Sequence, residues 1–167
     1  RDAGLDVSTG IREDACRHLN RAYVIAKTQS RPMVVLKAAL SLDGRIASAA
    51  GESRWITGEA AREFGHRLRD THDAILVGSG TLLADDPSLN TRIPDGRNAR
   101  PVVLDSRLRC PMDAKVLDAG LSPIFYCSES APNRELPAEV VRVPASEEGV
   151  ELDAVLTDLV GRDILSV

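Results

Sequence analysis

The apolar positions of this chain fall into short runs with either helical or strand spacing. Ala15, Leu19, Ala22, Tyr23 and Ala26 recur at offsets of 4, 3, 1 and 3, which predicts a helix over Arg12 to Lys27. Arg31-Pro32 ends it, because the residue before a proline is pushed out of the α region. Met33 to Leu40 is apolar except for Lys37 and predicts a buried central strand. A lysine in such a run is costly unless its ammonium meets an anion or reaches a site. Asp43-Gly44 and Gly51-Glu52-Ser53 read as turns. Thr57 is a suitable N-cap for a helix over Gly58 to Asp70, with Glu59 favourable at the positive end of its dipole.

Asp73 to Ser79 predicts a second strand, which runs into Gly78-Ser79-Gly80-Thr81 and a short helix through Ala84. Asp85-Asp86-Pro87 stops that helix, and a polar loop follows over Arg92 to Arg100. Further strands are predicted at Pro101 to Leu104, Pro123 to Cys127, Val140 to Val143 and Asp163 to Val167, with a helix over Leu152 to Val160. Strands alternating with helices or crossover loops predict an α/β fold with a mostly parallel sheet flanked by helices. The last strand looks cut off in mid-fold. With the absence of an initiator Met, this reads as a piece of a longer product.

Composition narrows the function classes. Aromatic residues make up only 3% of the 167, so the core is built from Val, Leu, Ile and Ala, a palette suited to buried parallel strands. A net charge of −4 gives no general attraction to nucleic acid or to anionic membranes. No apolar run approaches the length of a membrane span, and no signal peptide is visible, so a soluble cytoplasmic domain is expected. Cys16, Cys110 and Cys127 stand far apart, form no metal pattern, and read as packing residues of a reducing compartment. His18, His66 and His72 have no metal spacing either; His66 and His72 read as solvent-facing or capping.

Three segments have polar chemistry at the right places. Gly78-Ser79-Gly80-Thr81 lies at a strand-to-helix turn, where glycines admit a phosphate and helix N–H groups attract it, although an ordinary βα turn explains it equally. Leu104-Asp105-Ser106-Arg107 lies past a strand's carboxyl end, the ligand side of an α/β sheet. There Asp105 suits a ribose hydroxyl, Ser106 and Arg107 a 2′-phosphate, and a solvated turn is the alternative. In Ala84 to Arg92, paired carboxylates precede an arginine; they anchor a polar substrate or cap a helix, and Arg69 and Arg92 are each able to grip a phosphate.

Taken together, five motifs in order resemble one family: Lys37 to Arg45, Gly51 to Gly58, His66 to Arg69, Asp73 to Thr81 and Leu83 to Leu89. It is the reductase domain of the bifunctional riboflavin-biosynthesis deaminase/reductase, whose fold is similar to dihydrofolate reductase. The resemblance divides the chain into residues 1–30, the tail of a deaminase domain without its zinc motif, and residues 31–167, an incomplete reductase domain. It implies NADPH-dependent reduction of 5-amino-6-(5-phosphoribosylamino)uracil, in a homo-oligomer (dimer or tetramer). It implies NADP contacts at Ala39, Trp55, Thr81, Asp85 and Ser106, substrate contacts at Ser53, Arg69, Leu89 and Arg92, and reaction roles for Lys37 and Asp85. The family continues with a Glu-Gly-Gly-type turn, so the cofactor's pyrophosphate site is expected to be incomplete here. A pterin reductase of the same fold and a non-catalytic nucleotide-binding fragment are the alternatives.

Overall fold

The computed structural model describes Gly4 and residues 6–53, 55–118 and 120–167. In chain order its elements are α1 (Glu13–Leu19), α2 (Arg21–Gln29), α3 (Glu59–Thr71), β1 (Ala74–Gly78), α4 (Ser79–Asp85), β2 (Arg100–Leu104), β3 (Ile124–Ser128), β4 (Glu139–Val143), β5 (Ala145–Ser146), β6 (Gly149–Val150) and α5 (Leu152–Gly161). Strands β1 to β4 form one sheet in that order, every pair parallel, while β5 and β6 make a small antiparallel hairpin. The expected α/β architecture with a parallel sheet is borne out.

Why these strands sit where they do follows from their alternation. In β2 and β3 both faces are apolar, and successive residues enter opposite cores. Val103, Phe125 and Cys127 join Leu82 of α4 and Leu108, Cys110 and Val116 of the β2–β3 connection on one face. Val102, Ile124 and Tyr126 meet Val155 and Leu159 of α5 on the other. The three crossovers therefore pack against one face, and α5 closes the second. Cys110 and Cys127 are buried, as packing residues should be, but Cys16 is exposed.

The sheet's β1 edge continues through single contacts rather than a full strand. Ala74 N donates to Ser166 O at 3.1 Å, and Met33 N donates to Leu165 O at 2.9 Å. Met33 and Ser166 form a lone parallel bridge, extended by Val35 N to Val167 O at 2.8 Å. One carboxylate holds this edge. Asp73 Oδ2 accepts from Leu165 N, Ser166 N and Ser166 Oγ at 3.1, 3.0 and 2.9 Å. Ser166 Oγ in turn accepts from Asp73 N at 3.0 Å.

Four expectations are corrected. Met33 to Leu40 is not a buried central strand: it pairs only through Met33 and Val35, and Leu36 is 91% exposed. Among the described residues no second strand flanks it, so its apolar side chains lack a neighbour to bury them. Lys37 consequently lies in an exposed stretch and has no burial cost to offset. Asp163 to Val167 is likewise reduced to the bridge at Ser166. The first helix is two, parted at Asn20, whose side-chain amide donates to Cys16 O at 2.9 Å and closes α1. Thr57 does not cap α3: Gly58 occupies the N-cap, and Thr57 O accepts from Arg62 Nη1 at 2.8 Å instead. Among the described residues no helix is long and apolar enough to cross a membrane.

Tyr126, Asp158, Arg162, Glu139 and Arg100 tie β2, β3 and β4 to α5. Tyr126 Oη and Arg162 Nε donate to Asp158 Oδ2 at 2.7 and 2.5 Å, Arg162 also pairs with Glu139, and Arg100 Nη2 reaches Glu139 Oε2 at 2.7 Å. The hydrogen bond from Arg162 draws the Glu139 carboxyl below its ordinary range. At Asp158 burial pushes upward, but the bonds from Arg162 and Tyr126 prevail and its carboxyl is also lowered. Carboxylates depressed in the fold stabilise it above their unfolded pKa, and that contribution is lost as pH falls through the folded values. Arg162→Met should therefore lower stability by about 1–3 kcal/mol at pH 7. The gap to the parent should narrow below about pH 4. Urea denaturation at pH 7 and pH 3 checks this; a gap that does not change with pH contradicts it.

Candidate functional site

Polar chemistry gathers in three places, each built by a turn the sequence enforces. The first follows the extended segment. Ser41 N donates to Arg45 O at 2.9 Å, with Gly44 at φ +78° in the turn between them, as Asp43-Gly44 predicts. Ser41 Oγ donates to Asp43 at 2.5 Å and Arg45 Nε donates to it at 2.9 Å, and these bonds, Ser41's first, hold the Asp43 carboxyl below its usual range. This turn, Ser53 and Trp55 enclose an open cleft of about 360 Å³. Trp55 is 73% exposed, with the Arg62 guanidinium 4.4 Å from its ring centre.

The second lies at the carboxyl ends of β1 and β2, where an α/β sheet presents ligands. A cleft of about 650 Å³ runs between Gly78-Ser79-Gly80 and Ser106 on one side and β6 with the start of α5 on the other. That volume lies within the range of small-molecule sites. Ser106 Oγ accepts from Val150 N at 3.2 Å, which leaves its own proton to donate into the cleft. A Cβ at Gly149, whose φ is +135°, would stand 3.3 Å from that oxygen, so the glycine preserves the contact. Arg109 Nη2 donates to Ser79 Oγ at 2.9 Å beside the β1–α4 turn. Glu148, Glu151 and Asp153 also line the cleft. Asp105 does not face a ligand: it is fully buried and accepts from Cys110 N at 2.9 Å, shaping the turn that follows β2.

The third is cationic. Arg69 Nη1 reaches Asn90 O at 3.2 Å and lies 3.0 Å from His66 Nδ1. Arg92 reaches Asn90 Oδ1 at 3.4 Å and Ser88 Oγ at 3.3 Å, so Asn90 links both arginines. Burial, then Arg92, lowers the pKa of Arg69, and burial, then Arg69 and Arg92, lowers that of His66. Among the described residues neither arginine forms an ion pair with a carboxylate. Two guanidiniums and an imidazole held together without a counter-charge make a receptor for an anion. His66, read from sequence as solvent-facing or capping, is the residue missed here. Its spacing of three from Arg69 on α3 was the available signal. His72 does cap α3, with Nδ1 2.7 Å from Leu68 O.

The remaining expected site residues are placed unevenly. Lys37 runs beside α3, its Cε 3.9 Å from where a Cβ on Gly65 would lie, and Gly65 is one turn from Arg69. Ala39 is half-buried farther along the same segment, and Thr81 is exposed in the first turn of α4. Leu89 is buried with Leu82 and Val103 at φ +54°, so its side chain belongs to the core, while its neighbour Asn90 meets both arginines. Asp85 is exposed at the end of α4 and forms no ion pair with Lys37. Its neighbour Asp86 caps that helix end and holds Lys115 Nζ at 2.9 Å. Among the described residues no group of three or more His, Cys, Asp or Glu is arranged to hold a metal ion.

His66 should titrate below its usual value of about 6.5. Arg92→Gln removes one of the cations that disfavour its charged form, so the pKa should move upward. Following the imidazole protons by NMR across pH 4–8 checks this; no upward movement contradicts the proximity of Arg92.

The RibD C-terminal domain model matches residues 32–167. The chain is 38% identical to the riboflavin biosynthesis protein RibD of Bacillus amyloliquefaciens over 99% of its own length and 46% of that protein's. To the Aquifex aeolicus RibD it is 40% identical over 77% of its length and 36% of the other's. Among solved structures it is similar to a Thermotoga maritima diaminohydroxyphosphoribosylaminopyrimidine deaminase/5-amino-6-(5-phosphoribosylamino)uracil reductase. There the TM-score is 0.84 and the identity 34%, over 98% of this chain and 46% of that one. It is also similar to the yeast riboflavin biosynthesis reductase Rib7, with a TM-score of 0.67 and 27% identity over 91% of this chain and 70% of that one. The chain spans about half the length of the RibD proteins that it matches end to end. With the family model covering most of its residues, the chain belongs to the RibD C-terminal domain family.

Proposed function

We propose that this domain carries out the NADPH-dependent reduction of 5-amino-6-(5-phosphoribosylamino)uracil to the ribitylamino compound. The observation that carries the reading is the cationic group of Arg69, Arg92 and His66, which lacks a carboxylate partner among the described residues. A substrate phosphate supplies the missing charge through bidentate arginine contacts. Dihydrofolate has no phosphate to meet it, which favours the ribosylaminopyrimidine over a pterin. The Thermotoga relative, a deaminase/5-amino-6-(5-phosphoribosylamino)uracil reductase, and the yeast relative, a riboflavin biosynthesis reductase, support the same reading.

Each cleft offers groups that suit part of a dinucleotide. The second offers the Ser106 hydroxyl and open space beside Gly78 and Gly80, the first an exposed indole at Trp55 with Ser53 beside it. In this reading Ala39, Trp55, Thr81, Asp85 and Ser106 contact the cofactor, while Ser53, Arg69, Arg92 and the Leu89 backbone hold the substrate. When bound, the nicotinamide would supply the hydride for ribose C1, whose bond to the ring oxygen breaks. Lys37, along the face of α3 that carries Arg69, protonates the sugar oxygen as the ring opens, with Asp85 as the second polar residue of the reaction. Residues 1–30 are read as the tail of a preceding deaminase domain, a division supported by the family match beginning at residue 32. A cytoplasmic homo-oligomer completes the reading; the exposed apolar side chains of Val34, Leu36 and Leu40 support the self-association alone.

Steady-state kinetics of the full-length enzyme separate the roles. Lys37→Met should lower kcat by about 10²–10⁴-fold. Arg92→Gln should raise KM for the phosphorylated pyrimidine by about tenfold or more while leaving KM for NADPH nearly unchanged. An unchanged kcat in the first variant would remove Lys37 from the chemistry. An unchanged pyrimidine KM in the second would remove the phosphate from the cationic group.

A further inference from the structure

Among the described residues Arg62 carries the one guanidinium stacked on an aromatic ring. It lies in the second turn of α3, one residue from Glu63, yet Glu63 pairs with Arg67 at 2.7 Å instead. Arg62 forms no ion pair with any described carboxylate. Its contacts are Nη1 to Thr57 O at 2.8 Å and its guanidinium face over the Trp55 ring at 4.4 Å. The carbonyl bond fixes one end of the planar group, and the indole, 73% exposed, lies against its face. The side chain of Ile56 lines the same cleft as Trp55, and nothing but Arg62 is stacked on the indole among the described residues. A large exposed ring on a loop otherwise swings freely between rotamers. A guanidinium locked to a backbone carbonyl selects one of them.

We propose that Arg62 is a positioning residue for cofactor binding: anchored on Thr57 O, it holds the Trp55 indole in the orientation that receives the nicotinamide dinucleotide. The inference rests on the reading that Trp55 contacts the cofactor. Arginine suits the task better than lysine because its flat fork stacks on the ring and donates to the carbonyl at the same time. An exposed stack of this kind corresponds to about a two- to fivefold change in an equilibrium constant.

Trp55 is the only tryptophan in the 167 residues, which makes its motion directly visible where this domain supplies the protein's tryptophan emission. In the full-length enzyme, with any tryptophan outside this domain replaced by phenylalanine, Arg62→Gln should lower the fluorescence anisotropy of Trp55. It should also raise KM for NADPH about two- to fivefold with kcat and the pyrimidine KM nearly unchanged. Arg62→Lys should recover only part of the effect. In a Trp55→Leu background, Arg62→Gln should have no further effect on the NADPH KM. Equal effects of Arg62→Gln in both backgrounds, or an unchanged anisotropy, would overturn the proposal. If Trp55→Leu alone leaves the NADPH KM unchanged, the cofactor reading of Trp55 fails, and the positioning role with it. If Trp55→Leu raises that KM but Arg62→Gln does not, only the positioning role fails.

Discussion

Asp73 is the joint on which the far side of this domain depends. Its carboxylate accepts three hydrogen bonds from Leu165 and Ser166, and Arg97 closes over it from the loop before β2 with Nη1 3.5 Å from Oδ1. A carboxylate satisfied by several donors, two of them backbone N–H groups, is a strong and geometrically specific tie. Through it the residues after α5 lie along β1, and Met33 and Val35 pair with those residues in turn. The direction of the segment that carries Lys37 and Ala39 is thus set by an aspartate outside any site.

The remainder of the architecture is set by burial on both sheet faces. Alternating side chains of β2 and β3 feed two cores, one under the crossovers and one under α5. That arrangement leaves the carboxyl ends of the strands free of packing duties, so Gly78-Ser79-Gly80 and Ser106 border a cleft. The arginine group is a separate construction. Leu89 is buried at positive φ, and its neighbour Asn90 meets Arg69 of α3 while also holding Ser88 and Arg92. Core packing of one leucine and the charge arrangement of the cationic group are therefore two consequences of the same turn.

Much of this was legible in the sequence, for physical reasons that differ by element. Strands β2 and β3 were legible because continuous apolar runs bounded by proline and serine belong to buried parallel strands. The same signal misled at Met33 to Leu40. An apolar run reports what a segment is suited to bury against, and here the described residues supply a partner for Met33 and Val35 only. The clasp at Asp73 was invisible, because its partners are about ninety positions away in the chain. Ser106 lines a cleft, in keeping with its place after a strand, whereas Asp105 beside it turns inward to satisfy the Cys110 amide, a choice that local pattern does not encode. A histidine without metal spacing reads as solvent-facing or capping, and its place beside Arg69 depends on the chain returning at Asn90, which local pattern does not encode.

Whether the Asp73 carboxylate sets the edge carrying the Lys37 segment is read out by amide hydrogen exchange in an Asp73→Ala variant. Protection should fall together at Met33, Val35, Leu165, Ser166 and Val167, while Val103 and Phe125 in the sheet centre keep theirs. Unchanged protection at Met33 and Val35 would contradict it, and so would a uniform loss that includes the sheet centre.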